Sequence, residues 1–212
     1  MGGDLPPLLA VERFDRVVMP DAPTVCGLPL PYRCHQEDLC QAGGIPSYLK
    51  YEPTDGRYLS LGARILSRAS TNPFGDSRFF FESVLFDFVI GNCDNHLKNR
   101  SVLWSLDWGT RELSPLYDAT CTTMYPQLDR EMGISPCASR RIDDVTPDDI
   151  ALAGKPFRLS SEACWRMYQS VRRDVLEALG RAEDTLRAQG FSGVSPIAEH
   201  IRTDLETRAP WS

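Results

Sequence analysis

The apolar residues of this chain gather into a few segments with helical spacing, separated by stretches dense in proline and glycine. The most apolar is Phe79 to Ile90, FFFESVLFDFVI, in which Phe81, Val84, Leu85, Phe88 and Val89 follow the i, i+3, i+4, i+7 template. It predicts a buried helix that stops at Gly91–Asn92 and opens a polar loop, NCDNHLKNR. Leu59 to Ala69, with Leu59, Ala63 and Leu66 on one face, predicts an earlier helix that breaks at Asn72–Pro73. Upstream, Leu8 to Arg13 (LLAVER) reads as a short strand. Pro20, Pro23, Gly27, Pro29 and Pro31 make Val17 to Pro31 a loop or irregular hairpin. His35 to Ala42, HQEDLCQA, reads as one or two helical turns ended by Gly43–Gly44.

Beyond the polar loop, Ser101 to Leu106 and Thr110 to Leu113 predict a β-hairpin around Asp107–Gly109. Thr146–Pro147–Asp148–Asp149 supplies an N-cap, a proline at N1 and an acidic N3, and so starts a short helix. Ser160 to Gln189 reads as a long helix with Glu177–Arg181 and Glu183–Arg187 pairs, closed by Gly190; Ser195 to Thr207 reads as the last helix. The second half is mostly helical and the first mixed, an α+β pattern.

Hydrophobic residues at 42% and charged residues at 25% are ordinary for a globular chain of 212 residues, which can bury a real core. The net charge of −6 argues against broad nucleic-acid binding. The seven cysteines are odd in number and include no C-x-x-C pair, so free thiols in a reducing, cytoplasmic compartment are expected. Cys26, Cys34, His35 and Cys40 could be read as a zinc site, but C-x7-C-H-x4-C matches no standard finger. The MGG start lacks the Ser or Thr at position six that myristoylation wants, and no apolar run reaches the ~18 residues of a membrane span.

The chemistry concentrates in Gly91 to Asn99, GNCDNHLKN, a loop directly after the buried helix. Asp94 and Asn99 stand five positions apart, the spacing of the catalytic Asp and metal-binding Asn in a kinase loop. In that chemistry the Asp takes the proton of the substrate hydroxyl, the Asn binds Mg²⁺, and Lys98 is a cation for the transferring phosphate. Magnesium needs a further hard oxygen ligand, and Asp118 is the candidate, returned by the hairpin. Read alone, a D-x4-N pair is also the composition of an ordinary solvated loop. Arg140–Arg141 and Asp143–Asp144 read as solvated pairs, and Cys93 as a bystander beside Asp94.

Four segments in order resemble HipA-family kinases, the toxins of bacterial toxin–antitoxin modules. They are LAVERFDR (Leu9 to Arg16), HQEDLCQA with KYE (Lys50 to Glu52), FVIGNCDNHLKNRSVL (Phe88 to Leu103) and LSPLYDA (Leu113 to Ala119). The resemblance implies a mostly helical kinase C-lobe whose small β-hairpin carries the metal-binding Asp. Residues 1–16 would be a hinge-strand remnant and 17–212 the lobe. It implies Asp94 as catalytic base, Asn99 and Asp118 as Mg²⁺ ligands, and His96, Lys98 and Tyr117 along ATP. Glu12, Arg13 and Phe14 would form the adenine hinge.

The implied reaction is Mg²⁺–ATP-dependent phosphorylation of a Ser or Thr of a protein, an aminoacyl-tRNA synthetase by analogy. The implied partners are an N-lobe-like protein and a helix-turn-helix antitoxin. Nothing in the sequence matches the G-x-G-x-x-G loop or the V-A-I-K lysine of a nucleotide-covering lobe. Weak nucleotide binding and little turnover are therefore expected of the isolated chain. A split gene, a truncated remnant and a fragment all fit, as does a pseudokinase-like binding module.

Overall fold

The computed structural model describes residues 10–53 and 58–211. Leu8 and Leu9 of the expected first strand lie outside those residues, and 10–13 form no strand. The chain turns instead at Phe14–Asp15, because Arg13 and Arg16 both bend back onto the Asp15 carboxylate. Strand β1 (Arg16–Val17) follows and pairs antiparallel with β4 (Tyr32–Arg33). Between them, β2 (Thr24–Val25) and β3 (Leu28–Pro29) form a small hairpin. Its turn, Cys26–Gly27, has positive φ at both residues, the conformation that suits a two-residue hairpin loop.

The expected helix at 35–42 is only half present. Gln36–Asp38 is strand β5, and α1 is confined to Leu39–Ala42. Two local features explain this. Asp38 accepts from the Gln41 amide and the Gln41 side chain accepts from the Asp38 amide, which fixes the helix start at residue 39. β5 in turn pairs with β6 (Ser101–Trp104), which pairs with β7 (Arg111–Leu113), so the predicted two-stranded hairpin is a three-stranded sheet.

The helices build the core. α2 (Tyr58–Ala69) lies against α3 (Pro73–Ile90). α3 starts earlier than its apolar run, since Asn72 caps it and Pro73 takes N1. Phe80, Phe81, Val84, Leu85, Phe88 and Val89 are fully buried, each such side chain contributing about 1.5–3 kcal/mol. α4 (Pro147–Ala153) begins at the expected Thr146–Asp149 capping box. α5 (Ser161–Ala188) packs on α3 through Tyr168, whose ring lies 6.1 Å from that of Phe88. Its distal half carries the expected surface pairs, Glu177–Arg181 at 3.9 Å and Glu183–Arg187 at 2.8 Å. α6 (Val194–Arg208) closes the described chain, and Arg208 donates to the Val89 carbonyl at the end of α3. No described helix is long and apolar enough to cross a membrane.

Candidate active site

Residues 91–100 would be floppy as an isolated polar loop; a buried network holds them. Gly91 ends α3 at φ +76, and a Cβ there would come 2.3 Å from Thr123 Oγ1. Asp87, buried in the last turn of an apolar helix, pairs with Arg100 at the far end of the loop and accepts from Asn92 Nδ2 at 2.9 Å. Burial pushes the Asp87 carboxyl up, and the Arg100 guanidinium pulls it back. Arg100 also donates to Ser83 Oγ and to the Asn99 carbonyl. Asn95 is clamped by its own amide to both main-chain groups of Ile134, at 3.0 and 3.1 Å. Gly133 comes so near that a Cβ would lie 2.8 Å from His96 Cα.

This frame presents Asp94, whose side chain is 45% exposed. Its Oδ1 accepts from the Tyr51 hydroxyl at 2.5 Å, and its amide donates to Asn92 Oδ1 at 3.1 Å. Burial and the Asp94 contact push the Tyr51 phenol up to about 12, so Tyr51 is the donor. Asn99 is buried and spends its Nδ2 on the Asp94 carbonyl at 3.0 Å, which leaves its side-chain oxygen for a ligand. Lys50 Nζ lies 2.8 Å from His96 Nε2. Burial first, then the Lys50 charge, holds His96 below its usual range. The ammonium can only donate, so His96 Nε2 accepts.

Tyr117 links the remaining pieces. Its hydroxyl meets Ser101 Oγ at 2.6 Å and donates to the Lys98 carbonyl at 2.8 Å. Its ring lies 5.6 Å from that of Phe14, so the segment around Phe14 and the loop after β7 meet although 103 positions apart. Asp118 follows, exposed and at φ +56, and its charge reaches His96. It lies beyond the sheet, not on it, in the irregular segment after β7.

Asp94, His96 and Asn99 are therefore together, with Tyr117 and Phe14 at one side. Lys98 points elsewhere: its ammonium pairs with Asp38 at 2.9 Å. Arg13 is spent on Asp15, and Glu12 is exposed. No group of three or more His, Cys, Asp or Glu among the described residues is arranged to hold a metal ion, and that includes Cys26, Cys34, His35 and Cys40. Asn99 and Asp118 suit magnesium in kind, as neutral and anionic oxygen donors.

A cleft of about 500 Å³ opens beside Asp94, walled by Tyr51, Thr122, Leu128, Asp129 and Arg140. A larger groove of about 880 Å³, between α3 and α5, contains none of the polar site residues. Burial pushes the Cys93 thiol up to about 11, so it stays protonated and is no nucleophile at neutral pH. The supposedly solvated Arg140 is tied to Glu131 and to the Glu52 carbonyl, and Asp143 is tied to Arg130 and Arg141.

Sequence reasoning missed Lys50, Tyr51 and the Asp87–Arg100 pair. Asp87 left a signal, as a carboxylate inside FFFESVLFDFVI that demands a buried partner, and Lys50 and Tyr51 lay within the KYE segment of the resemblance without a role being given to them.

The chain belongs to the HipA-like C-terminal domain family, which matches residues 2–179. Among curated relatives it is 37% identical over 128 residues to Y4mE of Sinorhizobium fredii, named as a candidate kinase, covering 60% of this chain and 28% of that protein. A second such protein of that organism, Y4dM, is 26% identical over 202 residues, 95% of this chain and 43% of the relative. The serine/threonine-protein kinase toxin HipA of Shewanella oneidensis is 29% identical over 142 residues, 60% of this chain and 30% of the toxin. The fold is that of a solved structure from Shewanella oneidensis MR-1, the toxin–antitoxin complex of HipA, HipB and operator DNA. There the TM-score is 0.73 at 19% identity, over 93% of this chain and 46% of that one. The chain spans less than half the length of each of these relatives.

Proposed function

We propose that this domain is the catalytic half of a Mg²⁺–ATP-dependent protein serine/threonine kinase. The observation that carries the reading is the joint placement of Asp94 and Asn99 on one braced loop, with Asp94 beside an open cleft. Asp94 takes the proton of an acceptor hydroxyl, oriented by Tyr51. Asn99 and Asp118 hold the magnesium, which neutralises phosphate charge when bound. His96 and Tyr117 line the nucleotide, and the hinge residues Glu12, Arg13 and Phe14 back it through backbone and the Phe14 ring, while the Lys98 ammonium stays with Asp38 beside the loop.

Phosphoryl transfer depends on positioning and charge neutralisation, so a second lobe that covers the phosphates is needed to complete the site. We carry over a toxin role from the kinase toxin HipA and an antitoxin partner from the HipA–HipB–operator complex; an antitoxin of the helix-turn-helix type, an aminoacyl-tRNA synthetase substrate and a cytoplasmic site of action are proposed by family analogy alone.

The test is label transfer from γ-labelled ATP to protein, by the chain alone and in a lysate of its source cells. Label on Ser or Thr that disappears in Asp94→Asn is expected. Equal labelling by Asp94→Asn, or none by the wild type in either setting, would overturn the transfer reading and leave a pseudokinase-like binding module.

A further inference from the structure

We propose that Lys50 is the ammonium that contacts the transferring phosphoryl group, with Tyr51 as the residue that positions Asp94 for it. This rests on the kinase reading above.

The other cations around the loop are already neutralised. Lys98 is held by Asp38, which is itself fixed as the cap of α1. Arg100 is buried against Asp87, Arg140 is paired with Glu131, and Arg130 lies between Asp143 and Asp204. Lys50 differs. Its Nζ sits 2.8 Å from His96 Nε2 and 4.7 Å from the centroid of the Tyr51 ring. No carboxylate among the described residues is within ion-pair distance of it. The same His96 Nε2 is 3.7 Å from Asp94 Oδ1, so the ammonium stands one side chain away from the base.

The backbone makes this placement a built feature. The Lys50 carbonyl accepts from the Leu97 amide, and the Glu52 amide donates to the Gly133 carbonyl, which laces residues 50–52 to both flanks of the loop. The Glu52 carboxylate, buried below, accepts from the Tyr58 and Ser135 amides. Lys50 thus supplies the charge, Tyr51 the orientation and Glu52 the anchorage.

Among the described residues this half-buried cation has no counter-charge, an arrangement that favours the arrival of an anion. An ammonium has three donors, and Lys50 spends one on His96. Tyr51 occupies Asp94 Oδ1, leaving Oδ2 for the acceptor. The acceptor hydroxyl oxygen bonds to the γ-phosphorus while the bond from that phosphorus to the β,γ-bridging oxygen breaks, its electron pair leaving with ADP. The hydroxyl proton passes to Asp94 Oδ2. Lys50 keeps its proton throughout and donates to a phosphoryl oxygen as charge redistributes.

The experiment is calorimetric titration with Mg–ADP, alone and with aluminium fluoride as the mimic of the transferring group. For the wild type, fluoride should tighten binding by about 100-fold. Lys50→Met should lose most of that gain while Mg–ADP alone changes by less than about 3-fold, and Lys50→Arg should recover to within about 10-fold. If Lys50→Met fails to fold, Lys50→Gln carries the same comparison. A fluoride gain unchanged by the substitution, or absent from the wild type, overturns the assignment of Lys50 and leaves the kinase reading standing. A wild type that binds no Mg–ADP overturns the kinase reading, and this inference with it.

Discussion

Replacing Arg100 by Met removes the charge that answers Asp87 inside the core. Both side chains are buried, at 3% and 0% exposure, and Arg100 also ties Ser83 of α3 to the Asn99 carbonyl. Removing one partner of a buried pair leaves an uncompensated charge, which costs about 3–5 kcal/mol. For a domain of this size each kcal/mol lowers Tm by about 2–4 °C, so Arg100→Met should melt about 6–20 °C below the wild type. The double variant Asp87→Leu/Arg100→Met should regain part of that loss, because two apolar groups leave no orphan charge. Its loop would still lack the Asn99 and Ser83 bonds, so nucleotide binding should not recover with the stability. Thermal unfolding followed by circular dichroism, read beside nucleotide titration, separates the two effects. A drop below about 3 °C in the single variant, or a double variant less stable than either single, would refute the reasoning.

Three further outcomes are expected. Gly91→Ala, at φ +76 and against Thr123 Oγ1, should destabilise by about 2 kcal/mol or more; a denaturant midpoint equal to wild type would contradict the close approach. Iodoacetamide at pH 8 should label exposed Cys26 long before buried Cys93, whose thiol is pushed up to about 11; equal rates by mass spectrometry would be incompatible with the packing. The Arg130 guanidinium holds the Asp143 carboxyl below its usual range, so its stabilisation is present above the unfolded value of about 3.9 and is lost as pH falls through the lower folded value. Arg130→Met should therefore shift acid unfolding to higher pH, as circular dichroism would show.

The candidate loop was legible because its residues are close in sequence. Asp94 and Asn99 lie five positions apart, and a predicted hairpin brings the chain back toward Asp118. The buried helix was equally plain from its period, as were Asn72–Pro73, Gly91 and the Thr146 box as boundary signals. What failed was tertiary. β5 has no apolar alternation of its own and becomes a strand only because β6 offers an edge. Arg140 reads as surface charge until Glu52, 88 positions earlier, arrives to use it. Lys98 looks like the phosphate cation by spacing, yet Asp38 takes it, while Lys50 reaches His96 across 46 positions. The described part of the LLAVER segment, residues 10–13, has strand composition but forms no strand, and the Asp15 carboxylate draws Arg13 and Arg16 into a turn.

The most direct test of the account is a calorimetric titration of the chain with a non-hydrolysable ATP analogue, with and without Mg²⁺, in the wild type, Asn99→Ala and Asp118→Ala. The account predicts binding that requires Mg²⁺ and is lost in both variants while their thermal midpoints stay near that of the wild type. Binding that ignores Mg²⁺, or survives both substitutions, would contradict the assignment of these two residues as the magnesium ligands of a kinase.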